Sequence, residues 1–142
     1  MAFFCGPAQG QAPAASLPTP AGLWETVSDR TGQPDGRVQI VESGGEFVGT
    51  VVAVYSPPAE KPDPLCERCN GEQKDKPVIG MAFLRGVRRS AEGYAAGEIL
   101  DPNDGKVYSC MLELLEDGRK LAVRGYIGIP MLGRTQVWTR LE

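Results

Sequence analysis

The sequence predicts an all-β domain of about eight short antiparallel strands following one another in chain order, as an up-and-down barrel or a sandwich. Three observations predict it. Apolar and β-branched residues fall in short runs at roughly 10-residue spacing, not at helical periodicity. Glycine and proline, 18 and 12 of the 142 residues, separate those runs and set tight connections between them. The apolar fraction of 42% supports one core, and a domain of this length buries roughly two thirds of its unfolded surface.

Residues 1–20 precede the strand pattern. Ala, Pro, Gln and Gly dominate after a short apolar start at Phe3-Phe4-Cys5. Such a segment buries too little to order itself, so it is expected to be a flexible leader before a domain over residues 21–142. It also reads as the remnant of a secretory signal peptide, with small residues near Ala12 and Ala14-Ala15 as a cleavage region. Phe3-Phe4 makes a poor lipobox for Cys5, so lipidation is not expected. On this reading the protein is periplasmic or otherwise exported.

The strands follow in order. Leu23–Val27 is closed by Asp29-Arg30-Thr31-Gly32, and Arg37–Glu42 turns at Ser43-Gly44-Gly45 into Glu46–Tyr55. Gly49 inside that third run marks a bend or bulge. Ile79–Leu84 and Gly93–Leu100 come next, and Asp101-Pro102-Asn103-Asp104-Gly105 is a strong hairpin signal. Lys106–Leu115 leads to Glu116-Asp117-Gly118, then Arg119–Tyr126 and Gly133–Leu141 complete the series. Arg85, Arg88 and Arg89, with Glu92, read as a solvated loop between strands. The connection from Ser56 to Pro77 is long for a compact domain, and long loops often carry binding.

Composition excludes several functions. There is no histidine, which removes Ser-His-Asp and Cys-His nucleophile systems and the commonest zinc ligand. A net charge of -3 with no basic stripe argues against nucleic acid. No run approaches the ~18–20 apolar residues of a membrane-spanning helix. Gly44-Gly45 lacks the ending and the strand-to-helix context of a phosphate loop. Asp101, Asn103 and Gly105 do not complete a calcium loop. No cofactor and no metal are expected, and the chain is not expected to be an enzyme.

Cys66 and Cys69 form a CxxC motif. Zinc would need two more ligands, with only Cys5 and Cys110 left, and a redox centre would sit at a helix start in an α/β fold. A disulfide that pins the Pro-rich loop fits best in an exported chain. Cys110, mid-strand, reads as a small buried hydrophobe. Glu98 and Glu113, on strands joined by one hairpin, are the acids to check for paired-carboxylate chemistry, although exposed strand positions explain them.

A set of aromatic and basic residues carries the binding hypothesis. Arg124 and Tyr126 share one face of their strand, and Arg134, Trp138 and Arg140 share one face of theirs. Tyr108, Arg124, Tyr126 and Arg134 are the candidate ligand-binding residues; Trp24, Trp138 and Arg140 are the candidates for closing the barrel.

The stretches GLWET, CERCNGE…KPVIGM, GEILDPNDGKVYSCML and LAVRGYIGIPMLGRTQVWTRLE resemble the bacterial domain-of-unknown-function family DUF2147, from about Gly22 to Leu141. The resemblance implies a lipocalin-like β-barrel, usually exported, and carries over no catalytic residue. Gly22-Leu23-Trp24 also resembles the first-strand Gly-x-Trp of lipocalins, which packs beneath an arginine of the last strand. Either Arg134 or Arg140 fits that part. The function expected is therefore a non-enzymatic, exported barrel that binds a small apolar or amphipathic ligand. The alternative is an envelope structural or protein-interaction module that uses the 56–77 loop.

Overall fold

The computed structural model describes residues 18–55, 64–91 and 93–142. The leader up to residue 17 with Cys5, prolines 57, 58 and 62 of the long connection, and Glu92 lie outside the described residues. Eight strands follow in chain order: β1 Gly22–Val27, β2 Pro34–Ser43, β3 Glu46–Val54, β4 Ala82–Ser90, β5 Gly93–Asp101, β6 Lys106–Leu115, β7 Lys120–Tyr126 and β8 Arg134–Arg140. Each pairs antiparallel with the next, and β8 returns to β1, so the sheet closes as an up-and-down barrel. Closure pairs β1 with β8 at one end of the barrel instead of leaving both as free edges there. No α-helix occurs among the described residues.

Alternation along the strands decides what faces inward. Val38 and Ile40 of β2, Cys110 and Leu112 of β6, Leu121 and Val123 of β7 and Trp138 of β8 point into one core with Phe47, Phe83 and Leu84. Gly49 marks an irregularity as expected: the β3–β4 register shifts on either side of it. Its missing side chain lets Leu84 Cβ approach to 3.0 Å of where a Cβ would stand.

The fourth strand differs from the sequence reading. It runs Ala82–Ser90 rather than Ile79–Leu84, so the arginines lie on a strand and not in a loop. Val87 is the buried residue among them. Arg88 pairs with Glu46, and Arg89, at the end of the strand, pairs with Glu42 and lies over the buried Phe47 ring at 5.3 Å. Three large cations in so short a stretch masked the alternation that Val87 preserves.

One end of the barrel is sealed. Trp24 is fully buried, and the Arg140 guanidinium lies over its ring at 4.4 Å. Arg140 donates to the carbonyls of Gly118, Ala21 and Thr19 at 2.6–2.8 Å, and Trp24 Nε1 donates to the Pro20 carbonyl at 2.8 Å. Of the two arginines proposed for this position, Arg140 occupies it. Pro18, Thr19 and Pro20, grouped with the leader by composition, pack here, with Pro20 buried. The β1–β8 ladder is also confined to this end, where Trp24 pairs with Arg140 and Glu25 with Thr139.

The described part of the β3–β4 connection folds back on itself. Leu65 bridges Pro77, Cys66 N–H donates to the Lys76 carbonyl at 2.8 Å, and the Cys66–Cys69 disulfide is formed. Both sulfurs are buried. This segment seats on the β5–β6 hairpin, where Gly105 (φ 73°) is so close to the Arg68 carbonyl that a Cβ would collide with it. Here the turn and the close approach together require glycine.

Candidate ligand cavity

The other end of the barrel is a mouth. It is bounded by the β1–β2 turn, the 64–81 segment, the β5–β6 hairpin and the β7–β8 connection, which the strand directions bring to the same side. Beneath it lies a cavity of about 320 Å³. Its walls are apolar: Val38, Val51, Phe83, Ile99 and Val123, together with the Trp138 ring. Small-ligand sites are typically concave, mostly apolar and of a few hundred Å³, with few polar groups placed to orient the occupant.

The polar groups gather at the rim. Arg134 bonds Asp29 at 2.9 Å, stands 3.9 Å from Asp101, and lies over the Tyr108 ring at 6.0 Å. Asp29 also accepts from Gln136 Nε2 at 2.7 Å, and Gln136 Oε1 accepts from Trp138 Nε1 at 2.8 Å. The Tyr108 hydroxyl donates to Asp104 at 2.5 Å, and Thr26 donates to Asp35 at 2.6 Å. Past the short β1–β8 ladder, Asp29 thus ties the β1–β2 turn to β8 through side chains.

Charge states follow from these contacts. Burial pushes the Asp101 carboxyl above its ordinary range; the Asp104 and Asp29 carboxylates add to this, against the Asn103 amide and Arg134. For Asp104, burial pushes upward, but the Tyr108 hydroxyl and the Lys106 amide outweigh it and the carboxyl is held low. The hydrogen bond to Asp104 in turn raises the Tyr108 phenol. At the sealed end, burial lowers the Arg140 guanidinium from its usual value.

The expected site residues divide. Tyr108 and Arg134 line the cavity, and Trp138 lines it too rather than joining the sealed end. Arg124 and Tyr126 are not among the lining residues. β7 alternates with Leu121 and Val123 inward, so the face shared by Arg124 and Tyr126 is the outer one. Arg124 instead holds the β7–β8 connection, donating to the Pro130 carbonyl at 2.7 Å and to Thr135 at 2.6 Å.

Thr26, Asp29, Asp35, Asp101, Asp104 and Gln136 were not among the expected site residues. Gln136 stands between Arg134 and Trp138 at period two on β8, a signal that was present. Asp29 sits in a turn, where no periodicity could mark it.

The groups weighed for catalysis are apart. Glu98 pairs with Ser109 and Glu113 with Ala122, so the two acids do not oppose each other. Cys110 is fully buried, and burial pushes its thiol up to about 12; a thiol so placed is inert as a nucleophile. No group of His, Cys, Asp and Glu suited to a metal ion occurs among the described residues, and none of their helices is long and apolar enough to cross a membrane.

No curated protein sequence matches the chain. Among solved structures, the fold is similar to protein HP1028 from the human pathogen Helicobacter pylori, which belongs to the lipocalin family. The TM-score is 0.72 at 20% identity, covering 89% of this chain and 83% of that one. The family model for uncharacterized proteins conserved in bacteria, DUF2147, matches residues 22–140. With a lipocalin-like barrel and a match that spans every strand, the chain belongs to the DUF2147 family.

Proposed function

We propose that this protein is a non-enzymatic barrel that holds one small, partly apolar or amphipathic ligand, with Tyr108, Arg134, Gln136 and Trp138 at the site. One observation carries the reading: the barrel is plugged at one end but keeps a cavity of about 320 Å³ at the other. A barrel filled by its own side chains would bring Met81, Phe83, Met111 and the tryptophans together. Here Met81, Phe83 and the two tryptophans do share the core, but Met111 pairs with outward-facing Arg124 and the cavity beside Phe83 and Trp138 stays open. The separation of Glu98 from Glu113 and the inert Cys110 support a binding role over a catalytic one.

Export is part of the proposal. The Cys66–Cys69 disulfide supports it, because such bonds persist in oxidising compartments and are rare in the cytosol.

Native mass spectrometry of the protein purified gently from bacterial cells tests the reading. The expected result is a reproducible extra mass that disappears on denaturation. A clean apo mass, unchanged after incubation with lipid and metabolite extracts, would overturn it. The envelope-interaction reading would then take precedence, with the 56–77 loop, whose Leu65 is exposed, as the contact to probe.

A further inference from the structure

We infer that the cavity selects amphipathic ligands with a cationic head group and discriminates against anionic ones of the same chain length. This rests on the cavity reading above and names the chemistry the site takes. The charged residues lining the cavity are Asp29, Asp35, Asp101, Arg37 and Arg134. Arg37 is already engaged: its Nε donates to the Tyr55 hydroxyl at 2.9 Å, and that hydroxyl donates to Glu25 at 2.8 Å. Arg134 is therefore the guanidinium left at the rim, and it is neutralised by Asp29, with Asp101 close behind.

Hydrogen-bonding capacity points the same way. Gln136, Thr26 and Tyr108 are committed as donors to Asp29, Asp35 and Asp104. Carboxylates accept only, and each oxygen has room for more than one donor. A head group arriving at the rim therefore meets spare acceptors and an excess of negative charge. An anionic head can reach the N–H groups of Arg134 that its bond to Asp29 leaves unused, but only against the repulsion of Asp29, Asp35 and Asp101 around it. A cationic head keeps those contacts and adds its own attraction to Asp101 and Asp35. The methylene tail would lie against Val38, Val51, Phe83 and Val123, whose burial favours any apolar chain irrespective of head.

Displacement of N-phenyl-1-naphthylamine, a neutral fluorescent probe, by octyltrimethylammonium, octanol and octanoate separates the tail from the head. The cation is expected to displace the probe at about tenfold lower concentration than octanoate, with octanol between them. In Asp29→Asn/Asp101→Asn the gap should shrink to about twofold or less. Arg134→Gln, which leaves the carboxylates in place, should widen it and serves if the double variant does not fold. Octanoate competing as well as the cation in the wild type, or a gap unchanged in a folded variant, would overturn the charge selection while leaving the cavity reading intact. Failure of the probe to bind the wild type at all would remove both.

Discussion

At the sealed end Arg140 lies over Trp24 at 4.4 Å; at the mouth Arg134 lies over Tyr108 at 6.0 Å. Both arginines stand on the inward face of β8, and by residue type the two pairs are interchangeable. Their partners separate them. Arg140 donates to three backbone carbonyls, with no carboxylate among its partners in the described residues, so it ties the segment just before β1 and the β6–β7 turn to the barrel floor. Arg134 meets carboxylates at the β1–β2 turn and at the end of β5 beside the β5–β6 hairpin. Carbonyl partners make a structural plug, whereas carboxylate partners make a polar rim that a ligand head group can address.

The comparison breaks most visibly at the plug. Arg140→Ala leaves the Gly118, Ala21 and Thr19 carbonyls without their donor and uncovers Trp24. Charge-assisted hydrogen bonds of this kind are worth roughly 1.5–3 kcal/mol, so urea unfolding should show a loss of about 2–3 kcal/mol. Removing the disulfide with Cys66→Ser/Cys69→Ser should cost about 2 kcal/mol or less, because the closed loop is so short. The change should concentrate in hydrogen exchange of the 64–81 segment.

At the mouth, Arg134→Ala should change stability by only about 0–1 kcal/mol, as exposed ion pairs do. The same variant should alter probe affinity measurably. If Arg134→Ala unfolds the barrel as readily as Arg140→Ala does, the division between plug and rim fails.

The smallest effect is a pH dependence. The Asp104 carboxyl is held below its ordinary value of 3.8. The stability it contributes is therefore fully present above that value and is lost as pH falls through the lower, folded one. Asp104→Asn should accordingly be less stable than wild type near neutrality, and the difference should fade in strongly acidic buffer. Paired urea melts across that range check it.

Much of the barrel was legible because alternation and turn chemistry are local. The Asp101–Gly105 hairpin, the Gly44-Gly45 turn, the bulge at Gly49 and the buried Cys110 all follow from residues close in sequence. β4 was misjudged at Arg85–Arg89, where three exposed cations outweighed the single buried Val87.

The site was legible in part, and for a definable reason. Period two grouped Arg124 with Tyr126 and Arg134 with Trp138 correctly, but it fixes which residues share a face and not which face is inside. Only Leu121 and Val123, read together with the closed sheet, show that the Arg124 face is outer. The same limit left Arg134 and Arg140 unresolved for the plug: their distance from the two barrel ends depends on register with β1 and β7. Asp29 joins the rim through a turn, and no sequence period reaches it.

The most direct test of the central claim is a fluorescence titration of N-phenyl-1-naphthylamine into wild type and into Val123→Phe, which fills the cavity from the β7 position opposite Gln136 and away from the Arg140–Trp24 plug. The account predicts saturable one-to-one binding to the wild type and its loss in the filled variant, with the two melting within a few degrees of each other. Equal binding to both proteins, or no binding to the wild type, would contradict it.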